Sequence, residues 1–204
     1  VRQSNLQPDG SQQGAFVSGR WRMSDRLTGE LGMRWDNQTW DRVDGGTQLS
    51  PRLNLRYDPD ARTQLRASWG RFYQAQGINE LQVEDGIDTF FPAQRADHLI
   101  LSAEHALENR IRVRLEAYYK DYEELKPHFE NQFDPLVLLP ELQTDRIEVP
   151  AAAGSVRGLE LLLNRRGAGP WGWWLSYTWS QADDNIDGAD VERSWDQTHS
   201  FNAG

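Results

Sequence analysis

Apolar and polar residues alternate with a period of two from Gly14 almost to the end of the chain, the pattern of half-buried β-strands. Ala15, Val17, Gly19, Trp21 and Met23 alternate with Phe16, Ser18, Arg20 and Arg22, and a Ser24-Asp25-Arg26 turn follows. Gly29, Leu31, Met33 and Trp35 make the next apolar set, before a loop over Asp41–Thr47. Leu49, Leu53, Leu55 and Tyr57 follow, with Pro51 suggesting an edge, a bulge or a strand start. Asp58-Pro59-Asp60 has the chemistry of a tight turn. Leu65, Ala67 and Trp69 lead to a long Gln74–Gln94 loop, and Leu99, Leu101 and Ala103 lead to a Glu108-Asn109 turn. Ile111, Val113, Leu115, Ala117 and Tyr119 show the cleanest alternation, and a long loop over Glu123–Ala153 comes after them. Leu159, Leu161 and Leu163, a Gly167-Ala168-Gly169-Pro170 turn, and Trp171, Trp173, Leu175, Tyr177 and Trp179 form one more pair. An acidic loop then precedes a last strand within Trp195–Gly204.

The pattern predicts about nine antiparallel strands whose connections run short, long, short, long. Charges of both signs share the face opposite the apolar one: Arg20, Arg22, Glu30, Arg34, Arg52, Arg56, Arg66, Glu104, Arg112, Arg114, Glu116, Lys120 and Glu160. Two architectures produce such a pattern. In a soluble β-sandwich the apolar face is core and the charged face meets solvent. In a transmembrane β-barrel the apolar face meets lipid and the charges line a hydrated lumen. The alternating connection lengths and the tryptophans on the apolar face favour an all-β, antiparallel, up-and-down transmembrane barrel, here a partial one. The barrel reading requires Trp21, Trp35, Trp69, Leu115, Leu161 and Trp173 to point outward, not into a closed interior.

Composition sharpens this picture in three places. A mean hydropathy of -0.76 suits a soluble protein, yet it also suits a barrel, because half of every strand and all the loops are polar. No apolar run approaches the roughly 18 residues of a transmembrane helix, and a barrel needs none. Nine Trp and six Tyr fit a membrane-interface girdle or a carbohydrate-binding surface. The formal net charge of -9 offers no basic stripe to phosphates and argues against a nucleic-acid partner. With no cysteine, disulfides, thiolate metal sites and a cysteine nucleophile are excluded. No signal peptide opens the sequence, and nine strands is odd for a closed barrel. The 204 residues are therefore expected to be an internal piece of something longer.

Several segments together resemble the barrel of TonB-dependent outer-membrane receptors. They are Leu49–Tyr57 (L-S-P-R-L-N-L-R-Y), Thr63–Tyr73 (T-Q-L-R-A-S-W-G-R-F-Y), Leu115–Tyr122, Arg157–Leu161, Leu175–Trp179 and Trp195–His199. In this order they cover about residues 14–204. The resemblance implies a large Gram-negative outer-membrane barrel that takes up a scarce ligand of the siderophore, cobalamin or oligosaccharide class. Energy would be relayed by TonB through an N-terminal part with no counterpart here, so this stretch alone is not expected to transport. It also implies contact with membrane lipid and a binding site made by loops, without catalysis and without a cofactor.

Candidate chemistry is sparse. Ser194, Asp196, His199 and Ser200 are the residue types of a hydrolase triad, but alternation puts Asp196 and Ser200 opposite His199. A barrel hydrolase would need His199 bonded to a carboxylate and near a serine. Asp183-Asp184-Asn185-Ile186-Asp187-Gly188 has calcium-loop spacing without the distal glutamate, so a solvated loop is expected. His98, His105, His128 and His199 show no ligand spacing, and no metal site is expected. Gly158 marks a bend or a close neighbour in the wall. The ligand-binding candidates are Phe90, Phe91, Phe129 and Phe133, aromatics of the two longest loops that could stack on a sugar or an aromatic siderophore or simply pack their own loops. A soluble sandwich that binds carbohydrate through its tryptophans and a barrel hydrolase are the competing functions.

Overall fold

The computed structural model describes residues 9–40, 46–133, 138, 143–165, 171–193 and 196–204. Nine strands build one antiparallel wall: β1 (Gly10–Arg22), β2 (Leu27–Trp40), β3 (Thr47–Tyr57), β4 (Thr63–Gln74), β5 (Gln94–Ala106), β6 (Ile111–Glu123), β9 (Ala153–Arg165), β10 (Trp173–Ile186) and β12 (His199–Ala203). Two short pieces, β7 (His128–Asn131) and β8 (Arg146–Val149), pair with each other inside the loop between β6 and β9. A further piece, β11 (Ala189–Glu192), folds back on the end of β10. Neighbours in the wall are neighbours in sequence, as an up-and-down topology requires. Most wall strands run 11 to 14 residues, enough to cross a bilayer core obliquely. Among the described residues no helix is long and apolar enough to cross a membrane.

The pairing turns the alternation of the sequence into a single surface. In every ladder of the wall an odd-numbered residue faces an odd-numbered one, as in Leu31 opposite Leu53, Leu53 opposite Trp69, and Trp69 opposite Leu99. Leu101 opposite Ala117, Ala117 opposite Leu159, and Leu159 opposite Trp179 carry the face across the rest of the sheet. The apolar sets of all nine strands therefore merge into one continuous face, and the charged even positions into the other.

Among the described residues no second sheet covers that apolar face. Trp21, Trp69 and Leu115 are 49%, 39% and 50% exposed on it, and Trp35, Leu161 and Trp173 are half-buried by their neighbours along the same surface. Among the described residues the buried hydrophobic set is only Phe90, Ala151 and Ala182. The accessible surface is 14116 Å², against about 9,800 Å² for a compact monomer of this mass. The excess is what a wall with no layer packed on its apolar face exposes, and it removes the soluble-sandwich reading, which needs the tryptophans in a closed core.

The apolar band runs oblique to the hydrogen-bonded rows. On β1–β3 it reaches Ala15, Trp35 and Leu49 near the long-loop end. On β4–β6 the outward row at that end is Tyr73, Arg95 and Glu123. Toward the short turns, the row of Val113, Leu163, Leu175 and Ala203 is apolar instead. Strands tilted by about 40° to the membrane normal give this offset, because a level plane cuts successive strands at successive heights.

Two details differ from the sequence expectation. Pro51 lies inside β3, with the ladder to β2 running past it, while the ladder to β4 stops at Arg52. A residue without an N–H thus sits where one edge of β3 parts from its neighbour. The acidic segment 183–188 is a strand end and hairpin turn, not a loose loop. Asp187 and Gly188 have φ of 54° and 82°, the two positive values of the tight turn that suits a right-twisted hairpin. The turn predicted at Gly167–Pro170, Ser194, Trp195 and most of the Asp41–Thr47 loop lie outside the described residues.

Candidate functional site

The long connections gather at one end of the wall and brace one another. The loop after β4 contains two single 3₁₀ turns, Ile78–Glu80 and Val83–Asp85, and is organised around Gln76, which is 3% exposed. Gln76 accepts the Phe91 N–H through its side-chain oxygen at 2.9 Å and donates to the Glu80 carbonyl at 3.0 Å. Its own carbonyl accepts from Gln38 of β2, tying the loop to the inner face of the wall.

Two ion pairs join this loop to the one between β6 and β9. Arg146 of β8 donates two hydrogen bonds to the Asp85 carboxylate, at 2.7 and 2.6 Å, with side chains 12% and 9% exposed. Lys126 reaches Glu80 at 3.0 Å. The Arg146 guanidinium also lies over the Phe129 ring, 5.7 Å from its centroid. Two segments about sixty residues apart are thus one structural unit at the mouth of the wall.

The four phenylalanines take different places in that unit. Phe90 is buried and Phe91 half-buried, both in the loop after β4. Phe129 is half-buried beneath Arg146. Phe133 is 84% exposed, and its N–H donates to the Asp145 carboxylate at 2.9 Å, which also accepts from Asn131. The structure brings these side chains to one end of the wall without gathering them on one surface.

The Phe133 N–H and the Asn131 amide hold Asp145 below the usual carboxylate range, and Lys126 with the Gly77 N–H does the same for Glu80. A depressed folded-state value adds stability that is complete above the unfolded value and disappears as pH falls through the folded one. The loops are therefore expected to stay braced down to the ordinary values of 3.8 and 4.5 and to loosen only below them. Hydrogen exchange in residues 76–91 and 126–133 of the full-length protein, followed from pH 7 to 3, measures this. Loosening already at pH 6 would contradict it.

The remaining candidates have plain structural partners. His199 Nδ1 meets the Tyr177 hydroxyl at 2.9 Å on the outward face, the two rings stacked, and Asp196 accepts from Thr198. The carboxylate that a hydrolase would place on His199 is replaced by a phenol. His105 meets Thr63 and His128 meets Glu130, while His98 lies between Phe72 and Tyr122. Asp184 is bound by Arg193 at 2.7 Å, and Asn185 holds both Asp190 and the Gly188 N–H. Gly158 does have a close neighbour: the Tyr118 hydroxyl and the Trp179 carbonyl occupy the space a Cβ would need.

With an uncovered apolar face, a charged inner face and braced loops in place, comparison with known proteins is decisive. The sequence matches the family described as TonB dependent receptor-like, beta-barrel, over residues 2–204. The chain belongs to that family. Its place is accordingly the outer membrane of a Gram-negative cell, with the long loops outside and the short turns toward the periplasm.

No curated protein matches the sequence. Solved structures share the fold at low identity. The alcaligin outer-membrane receptor FauA from Bordetella pertussis is 20% identical with a TM-score of 0.63, covering 96% of this chain and 34% of its own. The ferripyoverdine receptor of Pseudomonas aeruginosa, bound to ferripyoverdine, is 15% identical with a TM-score of 0.66, covering 96% and 26%. The siderophore receptor PirA from Acinetobacter baumannii is 14% identical with a TM-score of 0.68, covering 95% and 31%. The chain thus spans about a third or less of the length of these receptors.

Proposed function

We propose that the full-length protein takes up a ferric siderophore across the outer membrane with energy relayed by TonB, and that this chain supplies part of the wall and its ligand-capturing loops. The observation that carries this reading is the two-faced sheet: one uncovered apolar surface for lipid and one charged surface for a hydrated lumen. The family and the siderophore receptors that share the fold support the class of cargo. The braced loops would meet the ligand first. Phe133 offers an accessible ring, Phe91 and Phe129 are half-buried in the same two loops, and Phe90 is buried. Transport is read as non-enzymatic, and the Tyr177 partner of His199 supports that.

The test is iron uptake in a Gram-negative host that lacks the protein, with and without the full-length gene and with and without TonB. Uptake of an iron-loaded siderophore that requires both is the expected result. If no siderophore in a panel of catecholate, hydroxamate and carboxylate types shows that double dependence, the reading fails.

A further inference from the structure

Each short turn of the wall carries an exposed arginine. The residues directly before β2, β4 and β6 are Arg26, Arg62 and Arg110, and Arg165 ends β9 before its turn to β10. None of the four has a carboxylate partner among the described residues, whereas Arg20, Arg56 and Arg112 of the strands do. The acids at this end are engaged elsewhere. Arg22 holds Asp25, Arg56 holds Asp58, and Asp60 accepts the N–H groups of its own turn. Glu108, exposed beside Arg110, is the acid left over among the described residues.

The four arginines are held at one level. The Arg26 carbonyl accepts the Asp58 N–H at 2.8 Å, which joins the first turn to the second. The Arg62 carbonyl accepts the Ala106 N–H at 2.8 Å, which joins the second to the third. Ile111, next to Arg110, pairs with Arg165. The turns recur at every second strand, so neighbouring arginines are about 10 Å apart along the rim. Apolar side chains border them. Leu27 and Tyr57 pair beside Arg26, Leu107 is 46% exposed near Arg110, and Arg165 stands in one row with Ile111 and Trp173.

Arg110 is kept there against the preference of its backbone. Asn109 and Arg110 have φ of 59° and 61°, the two positive values of a tight turn in which glycine normally follows asparagine. A side chain in the left-handed region is strained, and glycine would relieve that strain. The turn itself thus gives no reason for an arginine.

We infer that these arginines form a basic rim that binds the phosphate groups of anionic phospholipid at the periplasmic surface of the outer membrane. A guanidinium offers a planar fork of N–H donors that matches phosphate oxygens. The apolar residues beside each arginine would meet the start of the acyl chains, while the charged end stays at the headgroups. An anionic bilayer surface attracts cations placed within a Debye length of it. The inference requires only that the short turns meet a bilayer surface, and it is independent of the cargo.

The test uses the full-length protein refolded into phosphatidylcholine vesicles with traces of spin-labelled phosphatidylglycerol or spin-labelled phosphatidylcholine. Electron paramagnetic resonance reads how strongly each label associates with the protein. The anionic label should be favoured at low salt, and about 1 M salt should abolish the preference. Combining Arg26→Gln, Arg62→Gln, Arg110→Gln and Arg165→Gln should lower it about two- to fivefold. Arg110→Gly alone should lower it in part and leave the melting temperature equal or higher. Arg20→Gln, whose cation is held by Glu30 on the charged face, should leave the preference unchanged. An unchanged preference in the fourfold variant overturns the inference, as does wild-type protein that shows none. A melting temperature lowered by Arg110→Gly, equally in zwitterionic and anionic vesicles, would mean that the side chain serves the fold, and overturns it too. Binding to isolated peptidoglycan that the fourfold variant loses, with the lipid preference unmoved, would assign the rim to a cell-wall polymer instead. Failed iron uptake beside an intact lipid preference ends the uptake reading alone.

Discussion

Leu115→Arg is expected to cost about 2–4 kcal/mol of folding free energy in lipid vesicles, the usual penalty for a cation near the bilayer midplane on the outside of a barrel. Leu115 is 50% exposed and lies between Ala103 and Leu161 on the outward face. In water, a substitution at so open a position would stay within about 0.5 kcal/mol. The lumen-facing control is Ser102→Arg. Ser102 pairs with Arg66 on one side and Glu116 on the other, so an added guanidinium there finds water and a carboxylate. Denaturant titrations of both variants of the full-length protein, refolded into vesicles, give the comparison. Equal, small effects at Leu115 and Ser102 would mean that the odd face does not meet lipid.

Asp85→Asn is expected to release the loop pair by about 3–5 kcal/mol of local opening free energy, because it leaves the Arg146 guanidinium buried beside a neutral amide. Both side chains are about nine-tenths buried, and both donors of the pair lie within 2.7 Å. Glu80→Gln is the contrast. Its pair with Lys126 is 23–31% exposed, and such pairs contribute about 1 kcal/mol or less. Hydrogen exchange of residues 76–91 and 143–149 in the full-length protein should rise sharply in the first variant and little in the second. Replacing Asp85 and Arg146 together by leucine and methionine should cost less than removing Asp85 alone. If exchange in Asp85→Asn matches the wild type, the two loops are not coupled through this bridge.

The wall was readable from sequence because one physical rule, alternation across a pleat, governs every position in it. Trp21, Leu53, Leu115 and Leu161 are sorted to the apolar face by the same parity that sorts Arg20, Asn54, Glu116 and Glu160 to the charged one. The hairpin at Asp187-Gly188 carried a signal in its Asp-Gly dipeptide, but five acids nearby resemble a solvated loop, and a local charge count cannot separate the two. Pro51 could be marked as a place where pairing is interrupted, though which neighbour parts from it depends on the ladders on both sides. The loop braces were not readable at all. Asp85 and Arg146 are 61 residues apart, and no periodicity relates two loops that meet only in space.

Parity also bears on how such a sequence can change length. Removing one residue from the middle of β6 would rotate everything beyond it to the wrong side, sending Arg112, Arg114 and Glu116, or else Lys120 and its even-numbered neighbours, to the outward face. Residues can be added between β6 and β9 without that effect, because a loop's length does not decide which way the next strand faces. Lineages of this barrel are expected to keep strand lengths fixed and to vary where ligands are met. New specificity would then come by insertion outside the membrane while the lipid-facing surface stays as it is.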